Sequence, residues 1–194
     1  MKKILSIVAA VMVSVNIAAE GHLTFKGVEI DGSKAQFSRE LVKQDYTILS
    51  ETGDGIVLIG PFAGLEDCFV AASITPKEKL VYSVGVFLPE QYKWILLKSM
   101  YNDFKDALTE KYGEPYAEIN RFDYPFEEGD GYEMLALYSN SCIYAARYIT
   151  ELGSIDIIIK KAGRDKGQII ISYIDKINSQ LKEDTEKKAK NEDL

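Results

Sequence analysis

The chain has 194 residues, enough for one sizeable core or two small ones sharing a sheet, and carries 30 acidic against 23 basic residues, a net charge of −7. An acidic chain without a basic stripe excludes nucleic acid and anionic membrane surfaces as partners. Two cysteines and a single histidine, His22, make no zinc ligand set at a recognisable spacing, so no metal and no cofactor is expected.

Residues 1–19 read as a signal peptide. Lys2 and Lys3 make a basic start, Ile4 to Ala18 is an apolar run broken only by Ser and Asn, and Ala18-Ala19 offers small residues for cleavage before Glu20. The competing reading, a retained membrane anchor, needs ~20 apolar residues and a basic stop-transfer cluster, and neither is present. No Cys closes the run, so a lipid anchor has no acceptor. Cleavage would take the net charge from −7 to −9 by removing Lys2 and Lys3. The expected product is periplasmic or secreted and has no membrane anchor.

After the signal, His22 to Ile30 alternates like one half-buried strand, and Asp31-Gly32 turns the chain. Ser33 with Gln36 completes a capping box for a helix over Lys34 to Gln44 that buries Phe37, Leu41 and Val42. Tyr46 to Ser50 and Gly55 to Ile59 form a hairpin across Gly53-Asp54-Gly55, and Gly60 to Gly64 breaks the run. Cys68 to Ile74 and Leu80 to Leu88 are two further strands around Pro76-Lys77-Glu78.

The longest helix spans Gln91 to Pro115. Trp94, Leu97, Tyr101, Phe104, Leu108 and Tyr112 recur at three- and four-residue steps and make one apolar stripe, suited to lying on a sheet. Lys111, Gly113 and Pro115 mark its end. Beyond it Tyr116 to Phe122 is strand-like and Asp123 to Gly131 is an acidic loop. Tyr132 to Ser139 and Cys142 to Ile149 are expected to pair around Asn140-Ser141, and Ser154 to Lys161 with Gln168 to Ile174 to form a last hairpin. The runs Ile157 to Ile159 and Ile169 to Ile171 suggest central strands covered on both sides. From Asp175 the chain turns helical and polar, and 182–194 reads as a charged, solvated tail.

A helix followed by a run of strands, twice over, predicts an α+β fold of two helix-plus-strand repeats, over 20–90 and 91–181, sharing an antiparallel sheet with both helices on one face. Phe37 and Leu41 echo Phe104 and Leu108, and Cys68-x-x-Ala71-Ala72 echoes Cys142-x-x-Ala145-Ala146. In an oxidising compartment Cys68 and Cys142 either bridge or remain two buried thiols, and the sequence leaves both open.

His22-Leu-Thr-Phe-Lys-Gly27-Val-Glu-Ile-Asp-Gly-Ser33, Gly60-Pro-Phe-Ala-Gly64 ahead of a Cys, and Tyr101 through Lys111-Tyr-Gly-Glu-Pro115 resemble small exported proteins of gut-type Bacteroidetes. That resemblance implies export and an α+β fold, and brings no activity with it. The repeat architecture resembles β-lactamase-inhibitor-protein-like folds, in which two such units join into one antiparallel sheet; no inhibitor motif accompanies it.

Glu127, Glu128, Asp130 and Glu133 with Asp123 form the densest acid cluster, without an EF-hand spacing that would specify calcium. The same stretch interleaves Phe122, Tyr124, Phe126 and Tyr132, aromatics that on a loop would suit a glycan or protein partner and under it would be core. They are the candidate binding residues. No catalytic residue emerges: a triad could be built only around His22, which needs a nucleophile fixed beside it. The functional expectation is an exported, non-enzymatic binding or interaction module of the cell envelope, with a sheet face or loop as its working surface. The alternative is an envelope hydrolase using carboxylates.

Overall fold

The computed structural model describes residues 21–163 and 165–192. The targeting segment expected over 1–19 lies outside the described residues. The elements in chain order are β1 (Thr24–Phe25), β2 (Val28–Glu29), α1 (Lys34–Val42), β3 (Thr47–Glu51), β4 (Gly55–Phe62), β5 (Leu65–Ile74) and β6 (Val81–Phe87). They continue with α2 (Trp94–Tyr112), β7 (Ala117–Phe122), α3 (Glu133–Tyr138), β8 (Cys142–Ile149), β9 (Gly153–Ala162), β10 (Lys166–Asp175) and α4 (Lys176–Glu192). Eight strands form one antiparallel sheet in the order β3-β4-β5-β6-β10-β9-β8-β7. Two four-stranded meanders therefore meet at their last strands, and the fold is mixed α+β.

Side-chain alternation assigns the two faces of the sheet. Along β10, Ile169, Ile171 and Tyr173 are buried, and they lie opposite Ile159, Ile157 and Ile155 of β9. The same row continues through Tyr148, Ala146 and Tyr144 of β8 on one side and Val86, Val84, Val70 and Leu58 on the other. Phe37 and Leu41 of α1, Trp94, Leu97, Tyr101 and Leu108 of α2, and Ala136 and Leu137 of α3 join this core. Gly167 shows how tightly they press: a Cβ there would lie 2.2 Å from Leu97 Cδ2 and 2.9 Å from Leu137 Cδ2.

The long helix follows its apolar stripe, with Trp94, Leu97, Tyr101 and Leu108 buried, and Phe104 and Tyr112 half-buried. It ends at Gly113, whose φ of 83° disfavours any side chain. The capping box at Ser33 and Gln36 also forms, although Val42 is exposed rather than buried.

Polar groups close one end of the sheet. Asp175 is fully buried yet satisfied: its carboxylate accepts from the Leu23 and Asn178 amides at 2.9 and 2.8 Å and lies 3.1 Å from His22 Nδ1. The Asn178 carboxamide in turn donates to the Ile30 and Val81 carbonyls. Burial without these partners would cost several kcal/mol, on the order of 2–7 per polar group. His22 thus ties the N-terminal hairpin to the start of α4.

Several local expectations are corrected. Residues 22–30 are not one strand but the hairpin β1–β2, because Lys26 and Gly27 both take positive φ, 50° and 78°, as a two-residue turn needs. The break expected over Gly60 to Gly64 shrinks to Ala63-Gly64, and β4 runs on to Phe62. Tyr132 to Ser139 does not pair with the following strand. Its core Glu-Met-Leu-Ala-Leu contains no β-branched residue and folds as α3. With that helix removed from the strand count, each half contributes four strands to the sheet.

Cys68 and Cys142 are both buried free thiols. They lie on β5 and β8 with β6, β10 and β9 between, which at a spacing of about 4.8 Å separates the backbones by about 19 Å. A disulfide tolerates at most ~7 Å between Cα atoms. Nor do the two strands correspond: β5 is third from its outer edge and β8 second, so the Cys-x-x-Ala-Ala echo does not reflect equivalent positions.

The packing assignment predicts that Leu97→Ala costs about 2–5 kcal/mol, because the side chain is fully enclosed. Asp103→Ala on the outer face of α2 should stay within ~0.5 kcal/mol. Urea denaturation of both variants reads the difference; equal small shifts would remove α2 from the core.

Candidate functional site

The four candidate aromatics do not act together. Phe122, at the end of β7, packs edge-on against Trp94 with ring centroids 5.3 Å apart, and against Tyr144 at 5.9 Å. Phe126 also rests on the core. Tyr124 and Tyr132 point the other way and are 97% and 61% exposed. Two rings hold the loop down, and two are presented to solvent.

The acid cluster is absorbed by the loop itself. Asp130 accepts from the amides of Glu127 and Tyr132, and Glu133 accepts from Gly129. Asp123 pairs with Arg121 at 3.0 Å, and Glu128 pairs with Lys98 of α2. The lysine holds the Glu128 carboxyl below the usual carboxylate range. Among the described residues no three His, Cys, Asp or Glu side chains converge as a metal ion would require. Cys142 beneath the loop is no nucleophile either: burial, with Glu128 and Asp123 nearby, pushes its thiol up to about 12.

The sequence pattern offers a sheet face as a working surface without naming the residues that form it. Ile158 and Ile170 were expected to be covered like their neighbours, but they lie on the face away from α1, α2 and α3 and are only half-buried. Cross-strand neighbours extend this face through Ala145 of β8 and Ile119 of β7 on one side and through Phe87 and Phe69 on the other. Phe69, Ile119 and Ile149 are 45%, 36% and 55% exposed. Over β7 to β10 the face dips into a hollow of about 390 Å³ whose lining, among the described residues, comes from strands, with Ile119, Ala145, Ile158 and Ser172 among it.

One charged pair lies in this hollow. Arg147 and Asp156 stand directly opposite on β8 and β9 and form two bonds, Nε to Oδ1 at 2.6 Å and Nη2 to Oδ2 at 2.7 Å. Glu118 also borders the hollow but is bonded to Lys105 of α2, which keeps its carboxyl below the usual range. The start of α4 meets the end of this face, where Lys176 and Ser179 lie beside Ser154 and Ile174. The signal that could have found the face is the strand period itself. Within each triple-isoleucine run the middle residue necessarily points opposite to its neighbours.

The division within the loop is testable. Tyr124→Ser with Tyr132→Ser should leave stability within ~0.5 kcal/mol, as exposed changes do. Phe122→Ser with Phe126→Ser should cost about 3 kcal/mol or more, since packed rings are lost. Thermal melts distinguish the two pairs, and equal effects would mean that the loop does not divide this way.

Searches against family models, curated proteins and solved structures found no match to this chain.

Proposed function

We propose that the chain is an exported, non-enzymatic binding module of the cell envelope that engages a protein partner through the second face of its sheet. The observation that carries this reading is the row Phe69, Phe87, Ile170, Ile158, Ala145 and Ile119, apolar side chains on which none of α1, α2 and α3 packs. A contiguous apolar surface rimmed by polar groups suits a protein interface. From Ile170 to Ile119 the row is aliphatic, with Phe69 and Phe87 at one end only, which favours a protein over a glycan, since sugars ask for aromatic platforms and dense hydrogen bonding. The paired Arg147 and Asp156 would add orientation more than affinity.

The carboxylate-hydrolase alternative draws less support. A general acid needs a carboxyl held above its ordinary value, whereas Glu118 and Glu128 are held below it by lysines. We further propose that the two halves, α1 with β3 to β6 and α2 with β7 to β10, descend from one repeated unit, with α3 inserted between the first and second strands of the second copy. The pairing of the two meanders through their last strands supports this, as does the shared four-residue spacing of Phe37 and Leu41 on α1 and of Phe104 and Leu108 on α2.

Export is tested by N-terminal sequencing of the protein recovered from the envelope or medium. The expected first residue is Glu20, and a protein retained in the cytoplasm with Met1 intact would overturn the assignment.

The working surface is tested by capture from the native envelope extract. Ile119→Lys with Ile149→Lys alters two exposed positions and should abolish capture while the melting curve is kept. Tyr124→Ser with Tyr132→Ser should leave capture unchanged. Capture that survives the sheet-face variant and fails in the loop variant would move the site to the loop.

A further inference from the structure

A second concavity lies on the other side of the sheet, between the β1–β2 hairpin, the β4–β5 turn and the last turns of α2. Its volume is about 290 Å³. Phe25, Phe62 and Phe104 line it as a row of nearly parallel rings, with centroids 5.9 and 6.1 Å apart and interplanar angles of 14° and 9°. Tyr173 closes the floor, meeting Phe25 edge-on at 5.5 Å.

Among the described residues the charges that line it are of one sign: Lys26 and Lys111 border the hollow and no carboxylate does, although the chain as a whole is acidic. Lys26 is held in place by a 3.2 Å bond to the Pro61 carbonyl and by the face of Tyr46, its ammonium 5.2 Å from the ring centroid. Lys111 lies 5.0 Å from the centroid of Tyr112. Among the described residues neither lysine forms an ion pair, whereas six other lysines do. Two oriented cations at the mouth of an aromatic hollow would attract an anion that carries an apolar body.

We propose that this hollow binds a medium-chain aliphatic carboxylate, its chain against Phe25, Phe62 and Phe104 and its carboxylate between Lys26 and Lys111. Size supports the choice. A cavity of 150 Å³ accommodates benzene, so about twice that volume suits roughly ten to twelve heavy atoms. Decanoate has ten carbons and two oxygens. The site lies across the sheet from the proposed protein-binding face and does not depend on it.

The test is calorimetric titration of the mature chain with decanoate, and with decanol as its uncharged counterpart. Wild type should bind one decanoate, and decanol about tenfold more weakly, the scale expected when two partly exposed charge contacts are lost. Lys26→Gln with Lys111→Gln should erase that preference. Ala107→Trp, an exposed position on α2 at the edge of the hollow, should abolish binding of both probes without unfolding the chain. The variant Ile119→Lys with Ile149→Lys should bind decanoate as wild type does. Equal affinity for decanoate and decanol in the wild type, or binding that survives Ala107→Trp, would overturn the proposal.

Discussion

The seam between β6 and β10 is the constraint on which the architecture depends. Five residue pairs join them, from Ile170 opposite Phe87 to Ile174 opposite Ser83, between residues 83 to 91 positions apart in the chain. Without the seam, each meander would end in an unpaired apolar strand, an exposed edge that invites association. With it, Val84 and Val86 face Tyr173 and Ile171 in one core, and the remaining edges are β3 and β7. The backbone continues the pairing past β6: Leu88 donates to Ile169, and Gln91 exchanges two bonds with Gly167. That extension sets where α2 begins and brings Leu97 down onto Gly167.

Asp175 closes the opposite end of the same seam. It is the last residue of β10, receives the N-terminal hairpin through His22 and Leu23, and receives the first turn of α4 through Asn178. Asn178 then reaches Val81 at the start of β6. One buried carboxylate thereby orders three segments that are distant in sequence, and it is tolerated because its acceptor capacity is met by backbone amides and the imidazole. Gly153, opposite Asp175, contributes space, since a Cβ there would come within 2.1 Å of the Ile174 carbonyl oxygen.

The sheet separates two surfaces of different chemistry. The second face is largely apolar, broad and shallow, with Arg147 and Asp156 paired on it, a form suited to another protein. The hollow on the helix side is narrow and aromatic, bordered among the described residues by two lysines and no acid. The loop after β7 belongs to neither: Asp123, Glu128, Asp130 and Glu133 bond its own backbone or nearby cations, and Phe122 and Phe126 hold it to the core. Its exposed tyrosines are its remaining contribution to the surface.

Local chemistry determined much of this in advance. The α2 stripe, the Ser33 capping box, the strands around the central isoleucines and the α+β class follow from periodicity and capping, which act within a few residues. Tertiary structure decided what depends on distant partners. It set the order in which the strands meet and thereby separated Cys68 from Cys142. It placed Phe122 under the loop and Tyr124 outside it, although both are aromatics in one short segment. It also left Ile158 and Ile170 uncovered by α1, α2 and α3, which all pack on the other face. A run of three isoleucines looks the same in sequence whether one face or both are covered, since burial on the second face depends on which other elements come to lie there.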